Sequence, residues 1–149
     1  MRVYLDNCCY NRVLDDRRHP IIYLERNSVM LILELAELKQ LEIVGSDVLK
    51  YEMSITPDSM KRERLELMYS LCSSEVSMTD AIAERADEIR KNSNIRMFDS
   101  IHLASAESAN VDIFLTTDRK FMNNANRMPA NVRLMNPTEW LLEVISYDN

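Results

Sequence analysis

Glycine is nearly missing from this chain: Gly45 is the only one in 149 residues. The glycine-rich phosphate cradles of P-loop and dinucleotide-binding proteins need several glycines at fixed spacing, so those chemistries are excluded. Cysteine is sparse too. Cys8, Cys9 and Cys72 are odd in number, two are adjacent, and no CxxC occurs, so neither a disulfide framework nor a zinc cluster is implied. All three are expected to be reduced core residues of a cytoplasmic protein. Long apolar runs are absent. The longest plain one, "VMLIL" at 29–33, is far too short to cross a bilayer, and Asp6 interrupts the N-terminus where a signal peptide would need an apolar core. Positive charge is in deficit: 18 Lys and Arg against 24 Asp and Glu leave a net charge of −6. A surface coated for nonspecific nucleic-acid binding is therefore excluded, although a local basic rim is not.

What remains is an ordinary globular composition, 46% hydrophobic and 28% charged, at a length expected for one domain spanning 1–149. Apolar strand-like and helix-like segments alternate along it. The patterning predicts strands at 2–6, 41–45, 74–77, 111–117 and 132–135. Helices are predicted from Pro20 to about Gln40, after Ser46, after Thr56-Pro57, from Thr79 to about Lys91, through "MFDSIHLASAESA" to near Asn110, and from "NPTEW" to about Ile145. In the third of these, Met60, Leu67, Met68 and Leu71 are spaced for one face. His19, just before Pro20, reads as the residue that opens its helix. The run at 29–33 makes that helix apolar on more than one face, implying either deep burial or packing against a second chain. Strands separated by helices imply a mainly parallel sheet covered on both faces, with ligands beyond the carboxyl ends of the strands.

That rule singles out carboxylates. Asp6 ends the first strand, Glu52 lies in the helix after the second, Asp99 starts the small-residue helix, and Asp118 follows the strand "VDIFLTT". Carboxylates crowded together repel unless protonated or neutralised by a cation, and oxygen ligands of this kind suit Mg²⁺ or Mn²⁺. Such a cation activates water and stabilises charge at a phosphodiester, which points to phosphoryl-transfer chemistry. Each residue also has a structural reading: Asp118 as a helix cap, Asp99 as a helix-dipole partner, Glu52 as a solvated side chain. Arg12, Lys50, Arg96, Arg119 and Lys120 flank these carboxylates and are candidates for a cationic rim that positions phosphates. His102, three residues after Asp99, is read as structural or hydrogen-bonding. A serine hydrolase lacks its relay, and a haloacid-dehalogenase-type phosphatase lacks the second aspartate where Cys8 stands.

The stretches "VYLDNCCYNR", "SDVLKYEM" and "MFDSIHLASAESANVDIFLTTDRKF" together resemble the PIN-domain nucleases, especially the toxin-type members. The resemblance runs over essentially the whole chain, and its last stretch is the most specific. It implies a three-layer α/β/α fold with a central, mainly parallel sheet of four to five strands. It implies a Mg²⁺- or Mn²⁺-dependent ribonuclease whose metal site comprises Asp6, Asp99, Asp118 and Glu52. Thr117 matches a supporting hydroxyl, and Asn7 stands where many members carry Ser or Thr. It further implies an RNA substrate and a cognate antitoxin, while the apolar run at 29–33 suggests a homodimer or an antitoxin contact. RNA processing outside a toxin–antitoxin pair, or a PIN-like module that binds RNA or protein without cutting, are the other readings of the same residues.

Overall fold

The computed structural model describes all residues except Arg17, Ala130 and Asn149, together with the side chains of 146–148. The elements run β1 (Arg2–Leu5), α1 (Asn7–Arg12), α2 (Pro20–Glu37), β2 (Glu42–Ser46), α3 (Asp47–Ser54), α4 (Ser59–Tyr69), β3 (Ser74–Val76), α5 (Asp80–Lys91), α6 (Met97–Ser108), β4 (Ile113–Leu115), α7 (Arg119–Asn126), β5 (Leu134–Met135) and α8 (Pro137–Asp148).

Five strands form one sheet in the order β3-β2-β1-β4-β5, and every neighbouring pair is parallel. Helices cover both faces, giving three layers, α/β/α. β1 is the central strand: Val3, Tyr4 and Leu5 are fully buried, as a strand covered on both sides must be. The chain moves from β1 through β2 to β3 on one side, then returns to place β4 on the other side of β1. The strand order therefore reverses between β1 and β4. At such a switch point the connecting loops diverge and leave a crevice at the carboxyl ends of the strands.

Local chemistry explains most element boundaries. Ser46 caps α3 through Leu49 N–H, Asp58 caps α4, Thr79 caps α5, and His19 Nδ1 accepts from Ile21 N–H ahead of Pro20. Gly45 has a steric reason: a Cβ there would lie 2.4 Å from Tyr69 Oη, which also donates to Glu75 Oε2 at 2.8 Å.

Some expectations require correction. α1 falls where a loop was expected, and α7, which Asp118 caps, lies where no helix was delimited. α1 is only six residues, too short to show a period, and α7 is rich in asparagine, with only Phe121 and Ala125 buried. β4 covers three of the seven residues expected, because the chain turns at the two threonines to start α7. On α4 the expected apolar face is misplaced: Met60 and Leu67 are 66% and 71% exposed, while Leu65 is fully buried. The burial expected of the run at 29–33 holds for only part of it. Val29, Ile32 and Leu33 enter the core, whereas Met30 and Leu31 line an exterior groove of about 550 Å³ with Val13, Met68 and Leu71. No helix among the described residues is long and apolar enough to cross a membrane.

Candidate active site

The four carboxylates come from four separate places that the fold joins. Asp6 directly follows β1, its N–H donates to Leu115 O of β4 at 2.9 Å, and its side chain is almost completely buried. Asp118 caps α7 by accepting Phe121 N–H at 3.0 Å. Asp99 lies in the first turn of α6, and Glu52 on α3. Burial, followed by the charges of Asp6 and Asp118, pushes the Asp99 carboxyl up to about 6, with Glu52 adding to the repulsion. Asp99 thus feels all three of the other acids in addition to its burial, against which the nearby His102 acts only in part.

A polar network holds the carboxylates in place. Thr116, fully buried, donates its hydroxyl to Asp6 Oδ2 at 2.8 Å and accepts Asp118 N–H at 3.1 Å, tying two acids together. Cys8 Sγ lies 3.4 Å from both Asp6 Oδ2 and Thr116 Oγ1 and accepts Thr117 N–H at 3.3 Å. His102 is buried between Tyr4, whose hydroxyl is 2.6 Å from Nδ1, and Glu52, which receives a hydrogen bond from Nε2. Tyr4 reaches on to Ser46 Oγ at 2.7 Å, the same hydroxyl that caps the helix carrying Glu52. The result is a closed ring, Ser46–Tyr4–His102–Glu52–α3, linking the ends of β1 and β2 to α3 and α6. Burial holds the Tyr4 hydroxyl protonated, so it is available as a donor to either neighbour. Burial alone would lower the His102 pKa, but Glu52, Asp6 and Asp99 outweigh it and the net shift is upward.

The donor set fits a hard divalent cation. It is carboxylate-rich, it carries unbalanced negative charge, and Asn7 Oδ1, beside Asp6 in sequence, is a buried polar atom with no hydrogen-bond partner. No three His, Cys, Asp or Glu side chains converge as a ready-made cage among the described residues. Asp99 and Asp118 open into a small cleft of about 30 Å³, room for a water or an ion, lined also by Arg96, Lys120, Asn94 and Asn124.

The family model for the PIN domain matches residues 3–126. The chain belongs to that family. Solved structures agree with the fold of this PIN domain. One is VapBC2 from Rickettsia felis bound to a DNA fragment from its promoter, with TM-score 0.62, 22% identity, and coverage of 91% of this chain and 98% of that one. A toxin–antitoxin complex from Klebsiella pneumoniae gives TM-score 0.59 at 19% identity, covering 91% and 97%. VapBC-1 from nontypeable Haemophilus influenzae gives 0.58 at 16%, covering 93% and 99%. No curated protein matches the chain.

Within the PIN domain, some sequence expectations land elsewhere. The hydroxyl expected of Thr117 is supplied by Thr116, whose side chain turns inward where β4 ends; Thr117 contributes only its N–H, to Cys8. Cys9 is a core residue as expected, but Cys8 is half-buried against Asp6. The expected rim divides. Arg12 is paired with buried Glu25 at 3.0 Å and Asp15 at 2.9 Å, Lys50 with Glu75 at 3.1 Å, and Arg119 with Glu139 at 3.6 Å. Arg96 and Lys120 line the cleft. His102 has the hydrogen-bonding role expected of it, to Tyr4 and Glu52. Its spacing of three from Asp99 was the available signal, but only the fold supplies Glu52 and Tyr4 as its partners.

Proposed function

We propose that this PIN domain is a metal-dependent ribonuclease of the toxin type. The observation that carries the reading is the gathering of Asp6, Glu52, Asp99 and Asp118 at one end of the sheet, where burial and then the neighbouring acids raise Asp99 to about 6. Asp6, Asp99 and Asp118 would hold Mg²⁺ or Mn²⁺, with Glu52 completing the donor set. A divalent cation there supplies an activated water and charge neutralisation at a phosphodiester. The chain's own part is to fix geometry. Thr116 locks the rotamer of Asp6, His102 aims Glu52, and the α7 cap holds Asp118. Arg96 and Lys120 border the cleft and would position an RNA phosphate.

The solved relatives are toxin–antitoxin complexes, and this chain offers a matching surface. The groove between α2 and α4, lined by Met30, Leu31, Met68 and Leu71 with Glu34 and Glu37 beside them, would receive an apolar segment of a cognate antitoxin. A homodimer through the remaining exposed apolar residues of α2 is a second assembly to examine by sedimentation.

RNA cleavage with Mg²⁺ or Mn²⁺, against EDTA and Asp99→Asn controls, tests the activity. Cutting that needs metal and disappears in Asp99→Asn supports the reading. A folded protein that binds RNA but cuts none of a varied set would instead favour a non-catalytic binding module. The engagement of Glu52 by His102 is the feature that favours that second reading.

A further inference from the structure

The acidic balance of this protein hides an asymmetry in which of its cations are already used. Arg2, Arg12, Lys50, Arg85 and Arg119 each sit within 4 Å of a carboxylate. Arg90, Lys91, Arg96 and Lys120 are exposed and, like Arg26, Lys39, Lys61, Arg62, Arg64 and Arg127, have no ion-pair partner among the described residues; they alone of these line the carboxylate cleft or the depression beside it. These four gather at one place. Arg96 and Lys120 line the small cleft that holds Asp99 and Asp118. Arg90 and Lys91, with Ser93, line a second, wider depression of about 460 Å³ at the end of α5. The two depressions share Asn94 and Ile95, so they lie side by side at the α5–α6 junction. Asp87 is the one acidic residue bordering the outer part.

The helix dipole accounts for basic residues in the last turn of α5. It does not account for Arg96 and Lys120, which come from the starts of α6 and α7 and border the adjoining carboxylate cleft. Uncompensated cations leading away from a carboxylate site match a polyanion whose scissile phosphate lies at that site and whose neighbouring phosphates need counterions.

We propose that the α5–α6 junction is a phosphate track for single-stranded RNA, in which Arg90 and Lys91 hold backbone phosphates flanking the one positioned by Arg96 and Lys120. The proposal rests on the ribonuclease reading. It differs from the rim expected from sequence alone, because it replaces Arg12, Lys50 and Arg119, each paired with a carboxylate of the chain, with two residues that sequence proximity did not select.

The test is binding of a labelled single-stranded RNA oligonucleotide to full-length protein carrying Asp99→Asn, so that the RNA survives. Anisotropy is measured with Mg²⁺ over 50–300 mM salt. Arg90→Gln and Lys91→Gln are added singly and together, with Lys39→Gln, an exposed cation at the far end of α2, as control. Each track substitution should flatten the slope of log affinity against log salt by about 0.7, and the pair by about 1.4, while Lys39→Gln leaves it unchanged. Parent-like slopes in the double variant overturn the track while leaving the ribonuclease reading intact. No RNA binding by the wild-type chain or its Asp99→Asn form would overturn both.

Discussion

Replacing Asp99 by asparagine should make the metal-free protein more stable at pH 8 and almost unchanged at pH 4. In the folded chain the Asp99 carboxyl titrates at about 6, raised by burial and then by Asp6 and Asp118. An unfolded aspartate titrates near 3.9. A carboxyl whose folded pKa lies above its unfolded value binds its proton more tightly in the native state. Its penalty is thus small near pH 4, grows between the two values, and is complete above about 6. At 1.36 kcal/mol per tenfold change in proton affinity, the difference corresponds to about 3 kcal/mol. Solvent reaches part of the Asp99 side chain, and screening reduces the figure to about 1–2 kcal/mol. Asparagine has the shape of the protonated acid and never ionises, so Asp99→Asn removes the penalty. For a chain of this length the gain corresponds to a rise of about 3–6 °C in Tm at pH 8. Near pH 4 it shrinks to a few tenths of a kcal/mol, by the same linkage. The assay is thermal melting of both proteins in EDTA at the two pH values. Adding Mn²⁺ should then reverse the order at pH 8, because only the wild type gains ligand stabilisation, about 2.7 kcal/mol at a hundred times the Kd. Equal melting of the two proteins in EDTA at pH 8, or an equal gain at both pH values, would refute the crowded-carboxylate argument.

Three further outcomes separate the site's parts. Thr116→Val should cost at least tenfold in metal-dependent cleavage through loss of its bonds to Asp6 and Asp118, whereas Thr117→Val should change it little; the reverse order would restore the hydroxyl role to Thr117. His102→Leu removes the donor on Glu52 and should weaken Mn²⁺ binding by calorimetry while costing about 1–3 kcal/mol in urea unfolding; unchanged metal affinity would limit His102 to packing. Arg12→Gln leaves Glu25 buried without its cation and should lower stability by about 2–4 kcal/mol with no change in the salt dependence of RNA binding; a flatter salt slope would return Arg12 to the rim.

The alternation of strand-like and helix-like segments, readable in the sequence, determined the layered parallel architecture, because a strand buried on both faces must be apolar throughout and needs a helical crossover to reach its neighbour. Val3-Tyr4-Leu5 followed by Asp6 shows the same logic locally: an acid at the end of a buried strand stands out without any coordinates. Short elements were not legible. α1 and α7 span six and eight residues, too few for a helical period, and each is held by a cap and by contacts distant in sequence. Nor could the sequence decide which polar residues act. Thr116 and Thr117 are neighbours of one type, and only the end of β4 turns the first toward Asp6. Arg12 lies six residues from Asp6 and Arg96 three from Asp99, yet Glu25 claims the first, whereas the second has no ion-pair partner among the described residues. Sequence fixes which groups are available, whereas hydrogen bonds and ion pairs depend on distances of a few ångströms across residues as far apart as Tyr4, Ser46 and His102, which only the folded chain sets.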